Sequence, residues 1–379
     1  MEVRARSAWT PDGLLHDAVV EVDGRRIREV RPARPGDPPA LDGMLVPGLV
    51  NAHLHLEVSS LAGRIPRGLG FFDWLEAQFA ARSDADGRAD AAAAAHAMAH
   101  AGTVAVCDIS NRGDTAPLFA DAGIVGIVQH ELLTLDAAKV PAQLEHARIP
   151  ARWERGVWTR PAPHAPYSTA DALIRAAASP GPAPSSIHLA ETGAERVFLE
   201  TGGGAFAELL DRLGVDASAF TAPACGPVAY LRRLGVLRPD VLLVHGVDLS
   251  PGEWREVAAA GAPVCLCPRS NLYIGGVLPD VGAAFASGAR LCLGTDSLAS
   301  NDDLDILGEL PVLIEAFPDV PAGRWLDLAT AGGADALGLP LGRLQPGLAP
   351  GLVLLRGVTH PDDLATVPAR SVVLPAEMP

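Results

Sequence analysis

The chain has 379 residues, 49% of them hydrophobic, which is ample for a large buried core. Its formal net charge of −15 argues against nucleic acid or an anionic membrane surface as a partner, since both are held by a basic face. The five cysteines are an odd number, several in strand-like runs, so reduced, buried thiols in a cytoplasmic protein are expected rather than a disulfide framework. Residues 1–30 lack a charged start followed by an apolar block, so no secretory leader is expected. No uncharged apolar run is long enough to span a bilayer.

Residues 1–45 read as short strands. Ala18-Val19-Val20-Glu21-Val22 runs through Asp23-Gly24 into Arg26-Ile27-Arg28-Glu29-Val30, the pattern of a hairpin turned at Asp-Gly. The Pro- and Gly-rich stretch 32–42 reads as a linker. The body then alternates. Strand-like runs lie at 46–53, 103–109, 124–130, 157–163, 185–190, 241–245, 263–267 and 291–295, with helical patterns between most of them. The Ala-rich helix expected at 90–101 stops at Gly102, and Ser250-Pro251-Gly252-Glu253 reads as a cap and first turn. The tail is again strand-like at Leu352-Val353-Leu354-Leu355 and Ser371-Val372-Val373-Leu374. Eight strands alternating with helices predict an α/β protein, a (β/α)8 TIM barrel over 46–344. The strand-rich ends, 1–45 and 345–379, are expected to pair as a small β-sandwich domain.

The first strand of the body ends in His53-Leu54-His55. Residues two apart on a strand face the same way, so both imidazoles project together and can hold one metal ion. His188, His245 and Asp296 each close a later apolar run. On separate strands of one barrel they would converge at the C-terminal face, where that fold places its chemistry. An open doubly wound sheet would not bring them to one point. His130 and Glu131 end the third run on the same side.

Pro47-Gly48-Leu49-Val50-Asn51-Ala52-His53-Leu54-His55 resembles the opening signature of the amidohydrolase superfamily. Ala162-Pro163-His164-Ala165-Pro166-Tyr167-Ser168, His188-Leu189-Ala190-Glu191, Val244-His245-Gly246, Cys267-Pro268-Arg269-Ser270-Asn271 and Gly294-Thr295-Asp296-Ser297 follow in the order of its deaminase and chlorohydrolase branch. One departure stands outside the site: Pro350-Gly351-Leu352-Val353 replaces the family's Ala-Asp-Leu-Val-type run.

The resemblance implies one divalent metal ion, zinc before iron, held by His53, His55, His188 and Asp296. Two-metal members carry a modified lysine on the fourth strand, whereas Lys139, the only lysine, lies in a polar stretch. Glu191 would shuttle a proton from the metal-activated water to the substrate's ring nitrogen, and His245 would orient that water. Asp296 would also collect a proton and help the leaving group depart. His164 would donate to a purine ring, and Glu57 and Trp74 would belong to a substrate lid. Arg67 is a candidate clamp for a substrate carboxylate.

The Pro-Cys-x-x-Cys pair of cytidine-type deaminases is missing, which excludes that chemistry. Within the branch, the motifs resemble those of deaminases of adenine nucleosides with a modified ribose. Aminodeoxyfutalosine is the first expected substrate, methylthioadenosine or adenosylhomocysteine the next. Cyclic-amide hydrolysis or dechlorination is the alternative activity. A non-catalytic relative would tend to have lost ligands, and here every expected one stands. The resemblance also suggests a homodimer.

Overall fold

The computed structural model describes residues 1–81, 87–147, 152–215, 217 and 220–378, so Pro379, the end of the expected small domain, lies outside the described residues. Four strands open the chain: β1 (Glu2–Thr10), β2 (Gly13–Asp23), β3 (Arg26–Pro32) and β4 (Leu41–Pro47). Nine follow: β5 (Leu49–Leu54), β6 (Thr103–Ser110), β7 (Val125–Leu132), β8 (Arg152–Glu154), β9 (Val157–Pro163), β10 (Ser185–Leu189), β11 (Val241–His245), β12 (Pro263–Leu266) and β13 (Arg290–Leu293). β14 (Leu352–Arg356) and β15 (Arg370–Leu374) close the set.

Each of the eight runs of the body contains a strand. β5, β6, β10 and β11 are buried along their whole length, which is why they read as continuous apolar runs instead of alternating ones. β5, β6, β7 and β9 pair in parallel as one arc, with β8 added antiparallel at its edge. β10, β11, β12 and β13 pair in parallel as a second arc.

The arcs meet at two seams. At one, the His188 N–H donates to the His164 carbonyl at 2.9 Å. At the other, the Thr295 and Asp296 N–H groups both donate to the His53 carbonyl at 3.1 Å, and Leu54 bridges Asp296. Gly294 permits this approach: a Cβ there would lie 2.7 Å from the His53 carbonyl oxygen and 2.8 Å from Cys265 Sγ. The cap expected at Ser250 is present. Ser250 Oγ accepts from the Glu253 N–H while Glu253 answers to the Ser250 N–H, opening the helix Pro251–Ala260.

Two expectations need correction. The run expected as one strand at 46–53 is two strands of different sheets, because Val46 and Pro47 belong to β4 and β5 begins at Leu49. The chain changes sheets at Gly48, where a Cβ would come within 2.4 Å of the Val104 side chain and 2.5 Å of the Pro350 carbonyl. The chain ends form one six-stranded sheet, ordered β15-β14-β4-β1-β2-β3, in place of two facing sheets. The reason is that β4 uses both of its edges, parallel to β1 and antiparallel to β14, and so joins the two ends of the chain in one ladder. Among the described residues no helix is long and apolar enough to cross a membrane.

Candidate active site

The seams and strand ends bring the expected ligands together. His53 lies near the end of β5 and is fully buried, yet neither ring nitrogen has a hydrogen-bond partner. Its ring centre is 4.9 Å from those of His55 and His188 and 5.8 Å from that of His245. Asp296 Oδ1 stands 3.6 Å from His53 Nε2 and 3.5 Å from His55 Nε2. His188 Nε2 is also buried without a hydrogen bond. One ligand atom each from His53, His55 and His188 lies within 4.8 Å of the others. Buried imidazole nitrogens are ordinarily satisfied. Orphaned nitrogens gathered around a carboxylate oxygen fit a bound cation, and three imidazoles with one carboxylate suit a zinc-like divalent metal.

Neighbouring side chains fix these groups. Asp296 Oδ2 accepts from Ser270 Oγ at 2.6 Å and Ser300 Oγ at 2.9 Å, which leaves Oδ1 for the histidines. His245 is held between Asn271 Nδ2, 3.2 Å from its Nδ1, and His188 Nδ1, 3.1 Å from its Nε2. Glu191 Oε1 lies 3.5 Å from the same His245 Nε2. Ala190, His245 and Asp296 adopt left-handed backbone at φ 51°, 78° and 57°. For residues with a side chain this costs roughly 1–3 kcal/mol each and is tolerated where the surroundings over-determine it.

Electrostatics set the groups apart. Burial pushes the Glu191 carboxyl up to about 7. Burial also disfavours the Asp296 carboxylate, but His53, His55 and His245 outweigh it and hold the group well below the usual range. Burial and the neighbouring His53 bring His55 down to about 4. His188 is raised, because Glu131 against its ring outweighs burial.

A cavity of about 560 Å³ opens onto this cluster, a size typical of a small-molecule site. Its floor includes Glu131, His164 and Glu191 beside the histidines. Its walls are aromatic: Phe71, Trp74, Tyr167 and Phe206, with Tyr167 and Phe206 stacked at 4.1 Å. His164 lines the cavity, with its Nδ1 2.6 Å from Ser168 Oγ. Trp74 lines the wall, its Nε1 donating to the Ala299 carbonyl at 2.9 Å.

Two expected substrate contacts are placed elsewhere. Glu57 does not line the cavity; its Oε2 accepts from Ser110 Oγ at 2.8 Å and the Arg112 N–H at 3.2 Å, tying the segment after β5 to the end of β6. Arg67 is exposed, pairs with Asp302 and covers the Tyr273 ring at 4.5 Å, so its charge is engaged away from the cavity. Sequence reasoning assigned no role to Ser270, Asn271 or Phe206. The first two lie in the Cys-Pro-Arg-Ser-Asn motif, which was a usable signal; a helical phenylalanine such as Phe206 carries none.

Comparison with known proteins agrees with this geometry. The amidohydrolase family model matches residues 44–374. A 5-methylthioadenosine/S-adenosylhomocysteine deaminase of Halobacterium salinarum is 31% identical over 376 residues, covering 92% of this chain and 82% of the relative. An aminodeoxyfutalosine deaminase of Deinococcus radiodurans is 30% identical over 315 residues, covering 78% and 73%. Among solved structures, an adenosine deaminase from Xanthomonas campestris with bound zinc superposes with a TM-score of 0.76 at 26% identity, covering 97% of this chain and 89% of that one. The chain belongs to the amidohydrolase family. It is a hydrolase acting on carbon–nitrogen bonds, a deaminase of that family.

Proposed function

We propose that the chain deaminates an adenine nucleoside with a substituted ribose, 6-amino-6-deoxyfutalosine first and methylthioadenosine or adenosylhomocysteine next. The observation that carries the reading is the meeting of Glu191, His245 and Asp296 around the orphaned histidines on the floor of an aromatic-walled cavity. The reading includes one zinc ion held by His53, His55, His188 and Asp296. It also includes a (β/α)8 barrel closed at the two seams, a small β-domain made by the chain ends, a cytoplasmic location and a homodimer.

A divalent metal held by His53, His55, His188 and Asp296 would acidify a water, lowering its pKa to about 7. The chain's own groups do the rest. Glu191 would take a proton from the attacking water and return it to the purine ring nitrogen, raising the electrophilicity of C6. His245, fixed by Asn271, orients the water and stabilises negative charge as it develops on the attacking oxygen. Asp296 Oδ1 accepts the second proton and passes it to the departing ammonia. His164 hydrogen-bonds the base, and Trp74 excludes solvent.

The pH profile tests the role of Glu191. As a base it must be ionised, so kcat/KM is expected to fall about tenfold per unit below its pKa. Burial puts that pKa at about 7, and a nearby dication would lower it. An acid limb at or below about 7 is therefore expected, and a flat profile from pH 4 to 8 contradicts the assignment.

The substrate is tested by ammonia release against adenosine, methylthioadenosine, adenosylhomocysteine, aminodeoxyfutalosine, guanine and cytosine. Strong turnover of aminodeoxyfutalosine alone places the enzyme in menaquinone synthesis. Broad turnover of adenine nucleosides makes it a salvage deaminase. No ammonia from any of them overturns the reading in favour of ring opening or dechlorination.

A further inference from the structure

Glu131 is a carboxylate that the mechanism above does not use. It is the penultimate residue of β7 and is only 8% exposed, yet it lines the cavity. Its Oε2 accepts from Asn111 Nδ2 at 2.6 Å. Its Oε1 is buried with no hydrogen-bond partner. His188 Nε2 stands 3.5 Å from Oε1, too long for a hydrogen bond, and His164 lies in the same cluster. That nitrogen is itself orphaned and is the one His188 has free for a metal. A nitrogen whose lone pair binds a metal carries no proton, so Oε1 remains an acceptor facing the cavity beside His164.

An ionised carboxylate can only accept, so its partner must be a donor on the substrate. The inference rests on the nucleoside reading above, under which the strong donors common to all the candidate substrates are the exocyclic amine and the ribose hydroxyls. The amine departs and must stand by Glu191 and Asp296. Glu191 reaches the cluster through His245, which meets the Nδ1 edge of His188. Glu131 meets the opposite, Nε2 edge. We propose that Glu131 anchors the sugar, taking a hydrogen bond from a ribose 2′- or 3′-hydroxyl, and so sets the enzyme's preference for ribonucleosides over deoxynucleosides.

The test compares wild type with Glu131→Gln and Glu131→Ala. The probe is whichever of adenosine, methylthioadenosine, adenosylhomocysteine and aminodeoxyfutalosine the wild type turns over fastest, with its 2′- and 3′-deoxy counterparts. Metal content is measured in parallel. Wild type is expected to prefer the ribonucleoside over at least one deoxy analogue by about 10- to 100-fold in kcat/KM, the effect of a hydrogen bond to a charged group. Both variants are expected to lose that preference, mainly through KM on the ribonucleoside, with metal content unchanged. A variant that keeps the preference overturns the proposal. So does equal loss of kcat or metal on all three substrates, which would make Glu131 a support for His188. Wild-type turnover without any hydroxyl preference overturns the anchor alone, whereas no ammonia from any nucleoside overturns the nucleoside reading and the anchor with it.

Discussion

Glu191→Gln is expected to lower kcat by about 10³-fold while the protein keeps its fold and its metal. Glutamine preserves the volume and one carbonyl oxygen but cannot take a proton at neutral pH. The loss corresponds to about 4 kcal/mol of transition-state stabilisation, since each decade is about 1.4 kcal/mol. Glu191 is gathered with His188 and His245 and not with His53 and His55, and glutamine keeps an oxygen at that place, so a metal held by His53, His55, His188 and Asp296 should be retained. Steady-state kinetics with elemental analysis check both halves. Full activity in the variant would remove Glu191 from the chemistry.

Asp296→Asn is expected to abolish metal retention and activity together. Losing even a group that only supports a ligand commonly costs 10- to 100-fold in metal affinity, and Asp296 is read as a ligand itself, so the loss should exceed about 100-fold. Asparagine keeps an oxygen and removes the charge that three histidines now favour. The metal-free variant should still fold, because Ser270 and Ser300 can hydrogen-bond a neutral amide as well as a carboxylate. Added zinc should raise the melting temperature of wild type, as any ligand selective for the folded state does, and leave that of Asp296→Asn nearly unchanged. Equal zinc stabilisation of both proteins would show that the ion does not sit at Asp296.

Much of this was legible in the residues because it is local. Runs buried on both faces leave an apolar signature whatever their partners, so a strand could be placed in each of the eight runs of the body, whereas the three-residue edge strand β8 left no such signal. Strand-end histidines and Asp296 could be picked out for the same reason. What depends on distant pairing could not. Nothing near Gly48 announces that Val46 and Pro47 pair with β14 while Leu49 begins the next sheet, because Val104 and Pro350 impose the break from afar. The single six-stranded sheet likewise reflects β4 joining the two ends of the chain. Arg67 and Glu57 show the limit for side chains: a guanidinium suited to a carboxylate, and a place after the first strand, suggested substrate contacts, but Asp302 and Ser110 engage these groups instead. Glu131 is the converse case. Its place at a strand end was visible, but its unpartnered oxygen required the fold.

The measurement that tests the central claim most directly is ammonia release from the adenine nucleoside panel by one preparation in three states: metal-replete, chelator-stripped, and stripped then restored with one equivalent of zinc. The account predicts turnover in the first state, loss of it in the second, and recovery in the third with one zinc per chain. Undiminished ammonia release from protein shown by elemental analysis to be metal-free would contradict it.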